Sequence, residues 1–481
     1  MKTIINKKSI GVWLPNKLFK NLENKLNNYN ESKVKPKLDL GTSAYLLNLL
    51  FHIPLNSNEK YEDGWIPICS KPYKNLKYFK QYMEFLVDSD CIIEHDTNYS
   101  NVSNSCKRYK LKGLFFKQQI NYLLVSGESI FIDNVEKNKI DRMTKADSKC
   151  NHLTKWLKPE LLTIDYKNAL SHIIKNYSKP NDLRKKNKRL HSIKSIKNKD
   201  WSYSREGKDD RLHTILTSLP KDLRRYTKYN NEELVSLDIK NSQPFIYSAI
   251  LNQINKTNPD FNLMNSFIND YYNTNNYNNK LYISTMSDHR NNNIDTNGLE
   301  SFINQVLGGT FYETYADILY KESILYVNAN EEHLFPEPII KRFGTYKSYK
   351  VFETKRKAAK YIMLKTLFSS EKCNHTINKL FEKHYPEVYR ISQIIKKGKK
   401  KNFFPILLQN IEANCILDHC TRIISKNYPE MPLFTIHDSI ITTSSYRITL
   451  ENEFIRLLGK YFGLNPSLAS ERWSQQLGKV G

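Results

Sequence analysis

Apolar and polar positions alternate through Val235-Ser236-Leu237-Asp238, and that period of two predicts a strand delivering Asp238 to one face at its end. The chain then turns, and Phe245 to Leu251 reads as a helix. Farther on, two β-prone runs flank His437-Asp438-Ser439 between Pro432 and Thr443, a pattern that predicts a tight hairpin with Asp438 at its tip. Arg356, Lys360, Leu364 and Phe368 recur every four residues and share one side of a predicted helix. Lys360 and Phe368 would then stand about 12 Å apart along it. A helix is also predicted over Leu450 to Phe462, before a final segment ending in Trp473.

Near the N-terminus, Tyr73 to Val87 has helical spacing. It is followed by Cys91-Ile92-Ile93-Glu94, a stretch of Asn and Ser, and the basic run Cys106 to Leu111. Helix, strand, polar loop, basic strand is the order of a winged helix, and also of many small domains with no such role. The expected division is a winged-helix-like nucleic-acid-binding module over residues 1–111, a basic helical linker or thumb-like region over 112–204, and a mixed region over 205–481. The last carries an insertion at about 252–345, because Asn252 to Asn297 is rich in Asn, Tyr and Asp and reads as irregular. No internal repeat is visible.

Charge sharpens the picture. The 481 residues include 74 Lys and Arg against 49 Asp and Glu, a formal charge of +25, which calls for a polyanionic partner. Tyr (31) and Phe (22) supply rings on which exposed bases can stack. An AT-rich genome would enrich Lys, Asn, Ile and Tyr without any such function, so the motifs have to decide. The densest run, Leu183 to Lys199, reads as a solvated linker or as a surface for template backbone. The apolar stretch Ala44 to Leu55 is interrupted by Asn48 and His52 and is too short to span a bilayer. The seven cysteines form no CxxC pair. Cys415, His419 and Cys420 lack a fourth ligand for zinc and read as buried side chains. A soluble protein of a reducing cytoplasm is expected.

The chemistry is carried by three segments. A carboxylate at a strand end beside a helix start suits a hard cation that bridges phosphates, although Asp238 alone would be read as a helix cap. Asp438 alone would be a polar turn. Together, two such aspartates can hold a pair of Mg²⁺ ions, with Mn²⁺ as a substitute, which activate a primer 3′-hydroxyl and stabilise leaving pyrophosphate. The Arg356 helix offers cations for phosphates at one end and a ring for a base at the other. By itself it is an ordinary basic amphipathic helix.

The run RKAAKYIMLKTLFS at 356–369 resembles motif B of family A DNA polymerases and single-subunit RNA polymerases, R-x3-K-x3-[FM]-x3-Y-G. Arg356 and Lys360 match its triphosphate-binding pair, and Phe368 falls on the tyrosine; Leu364 and Ser369 depart from the pattern. Asp238 matches the motif A aspartate, and His437-Asp438-Ser439 matches motif C in the His-Asp-Ser form of phage-type RNA polymerases. The segment from Arg211 and His213 to Pro220 is similar to the arginine motif that touches primer-template. Leu408 to Asn414, with Gln409, is similar to the helix that contacts duplex near the active site. The likeness spans about residues 205–475, in the family's order.

The resemblance implies an α+β fold, a polymerase right hand with an antiparallel palm sheet and helical fingers and thumb, preceded by the winged-helix-like module. It implies catalytic, metal-binding Asp238 and Asp438, and nucleotide contacts from Arg356, Lys360, Leu364, Phe368 and Gln243. Primer-template contacts fall to Arg211, His213, Gln409 and His437. The partners implied are DNA primer-template and nucleoside triphosphates, with no membrane. Gln243 occupies the position that is Glu in the DNA enzymes, where bulk excludes a 2′-hydroxyl, and Gly in the RNA enzymes. With Phe368 it favours deoxynucleotides, whereas Ser439 leans toward ribonucleotides. The leading expectation is a DNA-directed DNA polymerase of a phage or plasmid. An RNA or primer-independent polymerase of the same fold is the first alternative, and a non-catalytic replication initiator or defence protein the second. Nothing resembles a proofreading exonuclease.

Overall fold

The computed structural model describes residues 7–32, 36–56, 61, 64–73, 76–89, 93–95, 106–113, 118–255, 263–274, 296–337, 339–341, 344–346, 348–371 and 373–475. The chain is α+β with antiparallel sheets. Among the described residues no helix is long and apolar enough to cross a membrane.

The strand Glu232–Ile239 organises the centre of the molecule. Before it, Asn230 and Asn231 adopt positive φ (48° and 63°) and close a two-residue hairpin in which Tyr229 faces Glu232. Asn tolerates that backbone better than most residues, and such turns match the natural twist of paired strands. One edge of Glu232–Ile239 takes Ser439–Thr443, which continues to Phe434–Ile436. The remaining pairings are with Leu468–Arg472 and, through Thr227–Tyr229, with Leu162–Ile164. Alternation splits this sheet between two cores. Leu237 and Ile239 enter the larger one, while Leu234, Ile441 and Trp473 enter a smaller one with Leu190, Ile193 and Ile196.

Those last three residues show that the basic run is not solvated on every side. Leu183–Lys197 is a helix whose apolar positions three apart are buried among its lysines. Likewise, part of the Asn-rich insertion is ordered. Leu263–Thr274 is a helix with Met264 and Ile268 buried and Phe267 and Tyr271 packed against the larger core, an i, i+3, i+4, i+7 stripe hidden by polar composition. The remaining stretches, 256–262 and 275–295, lie outside the described residues.

Toward the N-terminus a third core gathers residues from Val12 to Val125. Its three-stranded sheet has the order Ile66–Ile68, Lys107–Leu111, Ile93–His95. The helix expected from Tyr73 begins only at Phe79, because Tyr78 takes a left-handed φ of 64°; the polar loop at 96–105 is outside the described residues. Asn121–Glu128, beyond residue 111, pairs along its whole length with Lys7–Leu14.

Candidate active site

Asp238 lies one residue from the end of its strand, directly opposite Ser439 in the antiparallel register. Phe434–Ile436 and Ser439–Thr443 are joined by only His437 and Asp438, with Ile436 facing Ser439. The hairpin tip therefore sits beside Asp238. His437 holds a φ of 53° there, an unusual backbone for a non-glycine residue. The Ser439 hydroxyl donates to Asp238 Oδ1. Burial and then the neighbouring Asp438 carboxylate push Asp238 up to about 6, against the pull of Arg224. Two segments far apart in sequence thus bring two carboxylates together.

Several charged groups crowd the pair, and sequence reasoning missed them. Arg224 stands with its guanidinium 5.5 Å from the Trp473 ring and acts electrostatically on both Asp238 and Glu471. Glu471, on the neighbouring strand, is paired with Lys221 at 2.9 Å. Glu412 is only 2% exposed. Burial lifts its carboxyl above the ordinary range, Arg211 opposes that lift, and Asp438 adds to it. A lone acid in the apolar run FFPILLQNIEANCIL was the available signal, since a buried carboxylate needs partners.

Those partners include two expected site residues. Arg211 donates from Nε to Glu412 Oε1 at 3.0 Å, and also from Nη2. Gln243 Nε2 donates to Glu412 Oε2 at 3.0 Å, beside Ser242 Oγ at 2.8 Å. Arg211 is thus held by Glu412 through two of its nitrogens. His213, half-exposed, faces Asp209 at 3.7 Å. Burial, and then Arg211 and His213, push the His437 ring below the ordinary imidazole range against the pull of Asp438 and Asp209, so these groups cluster at the hairpin. Gln409 is half-buried on Phe403–Ala413 and makes no side-chain hydrogen bond among the described residues. That helix runs directly into a π-helical segment, Asn414–Cys420, in which the Cys415 and Cys420 sulfurs are buried 3.8 Å apart.

The expected nucleotide helix is Lys355–Leu367, capped by the Thr354 hydroxyl accepting from Lys357 N at 3.2 Å. Ala358, Ala359, Ile362, Met363, Thr366 and Leu367 face the core. Arg356, Lys360, Leu364 and Phe368 stay partly or fully exposed, as their spacing predicts. Arg356 is committed: Nη1 reaches Glu313 at 2.6 and 2.7 Å, and Nη2 donates to Asn241 Oδ1 at 2.8 Å. Asn241 lies three residues past Asp238, so Arg356 ties this helix to the aspartate strand. Lys355, Lys357 and Lys365 each have a carboxylate partner. Lys360 is exposed and has no ion pair among the described residues.

Among the described residues no group of three or more His, Cys, Asp or Glu side chains could hold a metal ion. Mg²⁺ rarely needs such a cage, since it keeps waters and binds through one or two carboxylates plus substrate phosphates. The hard oxygens of Asp238 and Asp438, whose mutual repulsion a cation would relieve, fit that requirement.

No protein-family model and no curated protein matches the chain. Among solved structures it is similar to the POL domain of Pol1 from M. smegmatis in complex with DNA primer-template and dNTP, at 12% identity and a TM-score of 0.26. The match covers 63% of this chain and 55% of that one, so the chain spans little more than half of that domain's length. At that score the likeness carries no argument, and the site rests on its own geometry.

Proposed function

We propose that this chain is a template-directed nucleotidyltransferase, a DNA-directed DNA polymerase of a phage or plasmid. In this reading, the sheet around Asp238 is the palm of a right hand, the helix Lys355–Leu367 belongs to the fingers, and the N-terminal module is a winged helix that holds DNA. The observation that carries the proposal is the register placing Ser439 opposite Asp238, which makes Asp438 and Asp238 neighbours, while Arg356 anchors the cationic helix to Asn241.

Phosphoryl transfer asks mainly for positioning and charge neutralisation, and the residues divide those tasks. Asp238 and Asp438 would hold Mg²⁺, or Mn²⁺ in its place. Bound there, the ions would supply charge stabilisation for the attacking and departing oxygens. Lys360, with no carboxylate to satisfy, would receive triphosphate oxygens, while the Phe368 ring one helix length away would meet the base. Ser439 fixes one oxygen of Asp238 and so orients its carboxylate. Ser439 also favours a second reading, an RNA polymerase of the same fold.

Primer extension in Mg²⁺ with dNTPs or NTPs tests both. Extension from dNTPs is expected, abolished by Asp438→Asn and Asp238→Asn with DNA affinity retained. Unimpaired extension by either variant refutes the proposal. Product from NTPs alone selects the second reading.

A further inference from the structure

Glu412 divides its carboxylate between two elements. Oε1 takes Arg211, and Oε2 takes the Ser242 hydroxyl at 2.8 Å and the Gln243 amide nitrogen at 3.0 Å. A carboxylate only accepts hydrogen bonds, so the Gln243 amide must turn its nitrogen toward Glu412. Its other end is then the carbonyl oxygen. Gln243 Oε1 is buried and has no partner among the described residues, although buried polar atoms are normally satisfied. Asn241, two residues earlier, shows the same arrangement reversed. Its oxygen is taken by Arg356 and its nitrogen is buried without a partner. The turn after Asp238 therefore holds an orphan acceptor and an orphan donor, each oriented by a charged residue from elsewhere in the chain.

We infer that Glu412 is a positioning residue that locks the Gln243 amide so that its oxygen accepts a hydrogen bond from a sugar hydroxyl of the incoming nucleotide. This deepens the polymerase reading and rests on it. Under this inference Gln243 selects by hydrogen bonding, where the sequence suggested bulk alone. The donor is either the 3′-hydroxyl, shared by dNTPs and NTPs, or the 2′-hydroxyl, present only in NTPs. Because the same carboxylate holds Arg211, sugar recognition and the arginine expected at the primer-template are linked through one buried group.

The test measures kcat/KM for single-nucleotide incorporation on primed DNA with a dNTP, its dideoxy analogue and the matching NTP. A 3′-hydroxyl contact appears as preference for dNTP over dideoxy analogue, and a 2′-hydroxyl contact as preference for NTP over dNTP. Gln243→Met keeps the length of the side chain and removes the amide. It should lower the relevant preference about tenfold, the worth of one hydrogen bond that discriminates. Glu412→Gln should lower it similarly, because a glutamine there can donate and lets the Gln243 amide flip. The exchanged pair Gln243→Glu with Glu412→Gln restores a donor facing an acceptor and leaves a free acceptor oxygen, so it should recover most of the preference. A purely structural Glu412 would not yield that rescue. Preferences unchanged within about twofold in both single variants, with extension persisting, overturn the inference and leave the polymerase reading intact. Absence of incorporation by the unmodified chain overturns both. If Glu412→Gln fails to fold by circular dichroism, Gln243→Met decides alone.

Discussion

Lys360→Ala separates ligand binding from folding more cleanly than any other substitution at this site. Lys360 is exposed and has no ion pair among the described residues, so removing its ammonium breaks none there. Alanine is also the better helix former, and the change in folding stability should stay within about 0.5 kcal/mol. On the proposed reading, the whole effect then falls on the bound triphosphate. A hydrogen bond to a charged group is worth about 1.5–3 kcal/mol, which corresponds to roughly a 10- to 150-fold loss in kcat/KM for the nucleotide. The assay is steady-state incorporation of one nucleotide at varied concentration, alongside thermal unfolding. Arg356→Ala provides the contrast. It removes the Glu313 pair and leaves Asn241 Oδ1 without its donor, so it should cost about 1–2 kcal/mol of stability as well as activity. Unchanged nucleotide kinetics in Lys360→Ala, or unfolding as severe as in Arg356→Ala, would refute the assignment of this helix face to the nucleotide.

Three further outcomes are expected. Asp238→Asn should stabilise the metal-free protein by up to about 2 kcal/mol at pH 7 while abolishing turnover. The carboxyl pushed up to about 6 holds a proton in the fold that the unfolded chain releases near pH 4, so its ionisation costs stability as pH rises through that window; an unchanged or lower melting temperature in EDTA would count against it. Arg205, 2% exposed and bonded to Asp418 at 2.6 and 2.8 Å and to Asp210 at 2.6 Å, braces the loop leading to Arg211. Arg205→Met should cost about 3 kcal/mol, the low end for breaking a buried pair, because Lys149 and Arg422 remain near the two aspartates; denaturant unfolding with a loss below about 1 kcal/mol would contradict this. His152, lowered by burial to about 4, must donate from Nε2 to the Leu417 carbonyl at 2.9 Å. The unfolded chain takes up a proton first as pH falls from about 6.5 toward 4, so stability should decline there by less than ~1.4 kcal/mol per unit, and His152→Gln should flatten that part of the melting curve.

What the sequence made legible follows from how each feature is encoded. Asp238, the Asp438 hairpin and the exposed row from Arg356 to Phe368 are fixed by periods of two and four within a dozen residues, so local pattern suffices to place them. The clamp around Glu412 has no such period. It joins Arg211, Ser242, Gln243 and Glu412, segments brought together only by the packed core. Arg356 shows the same division within one side chain. Its position on the helix was readable, but its engagement with Glu313 and Asn241 depends on tertiary placement, and that engagement moves the available positive charge onto Lys360. Charge was the least reliable guide. The run from Leu183 to Lys199 concealed three core residues, because lysine stems can lie along apolar surface while their ammonium groups reach solvent. A buried acid in an apolar stretch is therefore a stronger signal than an abundance of lysine, since burying a carboxylate costs several kcal/mol unless the fold supplies it with partners, whereas an exposed lysine costs almost nothing.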